Sequence, residues 1–121
     1  MFITHEQGYR IISLTGEIHY GNSRMISKEL LSYIHADHDR YILDVSRLTS
    51  IDSTGLAILF SFSKKCHTEN KESVLVAGAA PWYKLLHYSK LDRVLRVYPD
   101  VLSAITACEE EYNMNASILE Y

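Results

Sequence analysis

Several things are scarce in this 121-residue chain, and each scarcity excludes a class. Positive charge is not in excess: 12 Lys and Arg stand against 15 Asp and Glu, for a formal net charge of -3. No basic cluster stands out, whereas a nucleic-acid binder of this size carries a basic stripe, so binding of DNA or RNA is not expected. No apolar run approaches the roughly 20 residues that span a bilayer. Met1 to His5 lacks the charged and apolar regions of a signal peptide. Membrane insertion is therefore not expected, and the chain reads as a soluble, cytoplasmic domain. Cysteine is limited to Cys66 and Cys108, far apart and without zinc spacing, which suits reduced, semi-buried core residues. The two prolines, Pro81 and Pro99, both stand where a helix would begin. No internal repeat, low-complexity run or linker interrupts the sequence.

What is present suits a globular fold. Hydrophobic residues make up 47% of the chain, enough to bury a core. The length fits one domain, residues 1–121, and not two. Phe2-Ile3 opens a short strand ending at His5–Gly8, and Tyr9 to Leu14 is a second strand stopping at Thr15-Gly16. Apolar positions Met25, Ile26, Leu30 and Ile34 recur at helical spacing, which predicts a helix from Ser23 to about Ala36 capped by Asn22 or Ser23. Tyr41 to Val45 reads as a strand, Ser46 to Asp52 as a polar loop, and Ser53 to about His67 as a helix with Lys64 and Lys65 near its C-terminus. Val74 to Ala77 is wholly apolar, as in a strand covered on both faces. A short helix from Pro81, a strand from Val94 to Tyr98 and a last helix from Pro99 follow, with an acidic tail from Glu109. Strands and helices alternate, so the expected class is α/β. The expected layer is a mixed, partly parallel sheet of four to five strands flanked by about four helices.

Several groupings that resemble reactive sites do not hold up. His35, Asp37, His38 and Asp39 sit where a helix ends, and a solvated turn accounts for them without a metal. Cys66 and His67 are adjacent on a helix and point about 100° apart, so they are not a nucleophile and its base. Ser53 lies in no Gly-x-Ser-x-Gly elbow, and no Gly-rich phosphate loop with lysine is present. Trp82 and Tyr83 could form an exposed aromatic contact, with packing of Trp82 on the sheet as the simpler account.

The most informative stretch runs from Leu43-Asp44-Val45-Ser46 to Ser50-Ile51-Asp52-Ser53-Thr54-Gly55-Leu56. Asp52, Ser53 and Thr54 are ordinary capping residues for a helix start. Gly55 is harder to place, because glycine early in a helix costs about 1 kcal/mol relative to alanine, which points to close backbone approach or a partner surface. Asp52-Ser53-Thr54-Gly55-Leu56 after Leu43-Asp44-Val45-Ser46 resembles the signature of anti-sigma factor antagonists of the STAS family. Leu14-Thr15-Gly16-Glu17-Ile18, Val74 to Gly78, Leu85 to Asp92 and Val97 to Asp100 are similar to flanking segments of that family in the same order.

The resemblance implies a non-enzymatic switch. In that family the serine after the motif aspartate, here Ser53, is phosphorylated by a serine-kinase anti-sigma factor. The unphosphorylated form binds that partner, the phosphorylated form releases it, and a phosphoserine phosphatase resets the cycle. No cofactor is implied. Thr54 is the alternative acceptor. The implied partner surface is His19, Tyr20, Gly21 and Asn22 with Ser50, Ile51, Asp52, Ser53, Thr54, Gly55 and Leu56. One position departs from the pattern: His19 stands where the family commonly has aspartate, and an imidazole there can donate a hydrogen bond or carry positive charge. The alternative is a STAS scaffold, an accessory subunit of a lipid-transport ATPase or stress-sensing complex, in which Ser53 is only a cap. A small-ligand sensor is a third class, with no fused sensor domain in the sequence to support it.

Overall fold

The computed structural model describes residues 1–78 and 80–119, with side chains at all of these except positions 83, 92 and 111–119. Five strands form one sheet in chain order: β1 (Phe2–Glu6), β2 (Tyr9–Ile18), β3 (Arg40–Ile51), β4 (Glu72–Val76) and β5 (Val97–Tyr98). β1 is antiparallel to β2, and every later neighbour is parallel. The hairpin between β1 and β2 turns on Gln7 and Gly8, both at positive φ, the backbone of a two-residue turn that follows strand twist. The parallel pairs need crossovers. Helices α1 (Ser23–Ser32), α2 (Ser53–Thr68) and α3 (Tyr83–Tyr88) supply them, and α4 (Val101–Leu119) closes the chain.

Side-chain alternation divides the sheet into two buried faces. Ile12, Leu14, Leu43, Val45 and Leu75 pack with Leu30 of α1, with Ile58, Leu59, Phe62 and Cys66 of α2, and with Leu86 of α3. Ile11, Ile42, Val74 and Val76 turn the other way onto Ala104, Ile105 and Cys108 of α4. Trp82 is buried on the first face, and its indole N–H donates to the Leu48 carbonyl at 2.8 Å. It is a packing residue and not an exposed contact. The side chain of Tyr83 lies outside the described residues.

Four boundaries differ from expectation, the first being β2, which does not stop at Thr15-Gly16 but pairs with β3 as far as Ile18. The segment Ser46 to Asp52 is not a loop, because β3 continues to Ile51 beside β2. Between Ser13/Thr15 and Gly16/Glu17 the register shifts, and at each shift β3 carries one extra residue. Asp44 accepts the Ser46 N–H and hydroxyl at 3.0 and 2.6 Å, and Thr49 donates its hydroxyl to the Gly16 carbonyl, so both irregularities are satisfied locally. Helix α1 stops at Ser32 and does not reach Ala36. The buried Tyr41 hydroxyl accepts the His35 N–H at 2.9 Å, a donor that a continuing helix would spend on its own carbonyls. Lys71 Nζ also donates to the His35 and His38 carbonyls. The expected strand from Val94 is only Val97–Tyr98, preceded by a 3-10 turn at Leu91–Arg93 whose Leu91 carbonyl accepts from Leu95 N–H at 2.7 Å. The acidic tail is helical through Leu119.

Among the described residues no helix is long and apolar enough to cross a membrane, and no group of three or more His, Cys, Asp or Glu could hold a metal ion. Cys66 is buried and His67 exposed, and burial pushes the Cys66 thiol up to about 11.

Candidate functional site

β2 and β3 lie side by side and parallel, and each is followed at its C-terminal end by a helix. The starts of α1 and α2 therefore sit together beyond the same edge of the sheet, the position where open parallel sheets place their functional loops. Glu17 and Ile18 pair with Ser50 and Ile51, which sets the β2–α1 turn against the first residues of α2.

The turn from Glu17 to Ser23 is stitched by its own side chains. Asn22 accepts the His19 N–H at 2.9 Å and donates its amide to the Glu17 carbonyl at 2.8 Å. It is the N-cap residue of α1 by position, but its side chain makes no capping bond. The Gly21 N–H donates to Nδ1 of His19 at 3.0 Å, which leaves Nε2 as the ring nitrogen turned away from the turn. Ser23 donates its hydroxyl to the Tyr20 carbonyl. Tyr20 and Gly21 are exposed, Tyr20 at 84%.

Asp52 joins this turn to α2. It is the N-cap of α2, with extended backbone, and one carboxylate oxygen accepts the Gly55 N–H at 3.0 Å and the Thr54 hydroxyl. The other oxygen accepts the Tyr20 N–H at 2.9 Å, and the Asp52 N–H donates to the Ile18 carbonyl at 3.2 Å. The Thr54 hydroxyl first, then the Gly55 N–H, with the Tyr20 N–H behind them, hold this carboxyl below its ordinary range against the opposing effect of burial. Asp52 is thus kept ionised, and it ties together two segments 32 residues apart. Nothing in the local sequence marks that second role; the capping position was legible, the reach to Tyr20 was not.

Ser53 and Thr54 now differ. Ser53 is exposed at the first position of α2, and its hydroxyl bonds to no described residue. Thr54 is half-buried and its hydroxyl is spent on Asp52. Gly55 is buried, and a Cβ on it would stand 2.2 Å from Cγ1 of Ile51 and 3.0 Å from Cγ2 of Ile18. Glycine is therefore demanded here by close approach of α2 to the ends of β2 and β3. Ile51 and Gly55 lie beneath the surface, Leu56 is half-buried against the core, and Ser50, Ser53, His19 and Tyr20 form the exposed part.

The arrangement offers an accessible hydroxyl at a helix N-terminus, where free N–H groups and the helix dipole favour an added anion. It also places a fixed negative charge, Asp52, immediately beside that hydroxyl. A phosphoryl group on Ser53 would be tolerated by the helix start and would crowd charge onto the surface shared with Tyr20.

Comparison with known proteins follows the same lines. The family model of the STAS domain matches residues 3–104. The chain is 24% identical over 106 residues to an anti-sigma F factor antagonist of Paenibacillus polymyxa, covering 87% of this chain and 91% of that protein. Its fold is similar to the crystal structure of an anti-sigma factor antagonist from Mycobacterium paratuberculosis, with TM-score 0.74 and 23% identity over 88% of this chain and 90% of that one. It is also similar to a sulfate transporter family protein from Wolinella succinogenes, with TM-score 0.71 and 22% identity over 88% of each chain.

Proposed function

Because the chain belongs to the STAS domain family, we propose that it is a single-domain anti-sigma factor antagonist of the cytoplasm whose partner binding is switched by phosphorylation of Ser53. The observation that carries this reading is the exposed Ser53 hydroxyl, bonded to no described residue, directly after an ionised Asp52 that also holds the Tyr20 turn. The similarity to the Paenibacillus anti-sigma F factor antagonist supports an anti-sigma factor as the partner; in this reading that factor is a serine kinase, and a phosphoserine phosphatase opposes it. Unphosphorylated, the surface of His19 to Asn22 and Ser50 to Leu56 docks on that factor. Phosphorylated, Ser53 carries about -1.5 to -2 charges into the contact, beside Asp52, and the complex dissociates. The chain itself needs no cofactor and performs no catalysis, since ATP belongs to the kinase.

A second reading has one observation in its favour, the similar fold of the Wolinella sulfate transporter family protein. In it the domain is a scaffold or accessory subunit, in a lipid-transport ATPase or stress-sensing complex, and Ser53 only begins a helix. Incubation with a serine-kinase anti-sigma factor and ATP, read by intact mass, separates the two. The switch requires gain of one phosphoryl group that Ser53→Ala abolishes and Thr54→Val retains. Stable partner binding indifferent to both Ser53→Ala and Ser53→Asp is the outcome of the scaffold.

A further inference from the structure

The C-terminal half of α2 borders a groove that the Ser53 surface does not use. Ser63 lies ten positions along the helix from Ser53, about 15 Å at the α-helical rise. The groove encloses about 430 Å³ between Phe60, Ser63, Lys64 and His67 of α2, the start of β4, and the Val94–Arg96 segment. That volume falls within the range of small-molecule sites. Its rims are apolar on both sides, with Phe60 37% and Val94 62% exposed, and neither is needed by the core.

The floor is polar, formed by Ser63 and Ser73. Ser73 donates to the Ser63 hydroxyl at 3.3 Å, which leaves the Ser63 proton available to an acceptor in the groove. Beneath them a small void of about 10 Å³, roughly one water, reaches between Leu59, Phe62 and Leu95 and shares Ser63, Ser73 and Arg96 with the groove. Among the described residues lining the groove, Lys64, Lys71 and Arg96 stand beside one carboxylate, Glu72, and Lys64 supplies the cation that the groove offers. Glu72 lies 3.5 Å from Arg96, and Lys71 is held by Asp39 at 3.5 Å and by two carbonyls, while Lys64 is exposed with no ion pair to a described residue.

We propose that this groove binds a small amphiphilic anion, a carboxylate or phosphate carried on an aromatic or short acyl group. The anionic end meets Lys64, the His67 ring and the Ser63 hydroxyl. The apolar end lies between Phe60 and Val94.

Amide NMR titrations of the full chain with phenyl phosphate, octanoate, inorganic phosphate and benzyl alcohol test this. Saturable shifts confined to Phe60, Ser63, Lys64, His67, Ser73 and Val94 are expected with phenyl phosphate, octanoate or both. The two arms distinguish a phosphate ligand from a carboxylate one. Inorganic phosphate and benzyl alcohol each lack half of the recognition and should bind about tenfold more weakly or less. Lys64→Glu should cost roughly threefold to tenfold in affinity and more at low salt, and Val94→Glu should remove binding. Both positions are exposed, and an unchanged spectrum elsewhere verifies the fold. No shifts with either amphiphile, shifts scattered over the surface, equal binding of inorganic phosphate, or affinity unmoved by both variants would each overturn the proposal.

Discussion

Replacing Gly55 by alanine probes the packing that sets the candidate surface in place. On an exposed helix this change stabilises by about 1 kcal/mol, since alanine is the better helix former. Here the new methyl would stand 2.2 Å from Cγ1 and 2.9 Å from Cδ1 of Ile51, and 3.0 Å from Cγ2 of Ile18. Ile51 and Ile18 are 7% and 1% exposed, so neither side chain can swing into solvent. Relief must come from lifting the first turn of α2, which loosens Ile58 and Leu59 and breaks the Asp52 contact to Tyr20. Overpacking of this kind costs about 1–3 kcal/mol. Less the propensity gain, the net loss falls between about 0 and 2 kcal/mol, and the 2.2 Å approach sets this change at the costlier end. In urea denaturation followed by circular dichroism the midpoint should fall by roughly 0.5–1 M. Ile51→Ala removes both Cγ1 and Cδ1, so in that background Gly55→Ala should become neutral or stabilising. A single variant as stable as the parent, or more so, would refute the close approach.

Two further outcomes follow from named contacts. Trp82→Phe removes the N–H that satisfies the buried Leu48 carbonyl at 2.8 Å. Thermal or urea unfolding should register a loss of about 1–3 kcal/mol from the unsatisfied carbonyl, added to the cost of the smaller ring. Asp52 has a folded pKa below its ordinary 3.8, so it stabilises the fold above that value. That stabilisation is lost as pH falls below 3.8 and through the lower folded value. Asp52→Asn should therefore flatten the acid limb of the stability–pH curve, measured by urea midpoints between neutral and strongly acid pH, and an unchanged acid limb would contradict the assignment.

Which parts of the molecule could be read in advance follows from the spacing of its apolar residues. Helix α2 was legible because Leu56, Leu59 and Phe60 keep helical spacing, and β4 because Val74 to Val76 is a continuous apolar run. The second half of β3 was not. Two extra residues relative to β2 leave Val45, Leu48 and Ile51 as its buried positions, spaced by three and not by two, so the strand looks like a polar loop. Helix α1 ran long in the sequence because its terminator, the Tyr41 hydroxyl, lies on another element. At the site, Asp52, Ser53 and Gly55 stood out by motif and by the cost of glycine. The bond from Asp52 to Tyr20 and the groove beyond Phe60 depend on tertiary placement, and no local pattern announces them.

The central claim is that phosphate on Ser53 spares the fold and defeats the partner. It is tested most directly by preparing the chain stoichiometrically phosphorylated at Ser53 and measuring its affinity for the serine-kinase anti-sigma factor beside the unmodified chain, with melting temperatures for both. The account predicts a melting temperature changed by no more than about 3 °C and an affinity lower by about a hundredfold or more. Unchanged affinity, or a loss of affinity matched by collapse of the melting temperature, would contradict it.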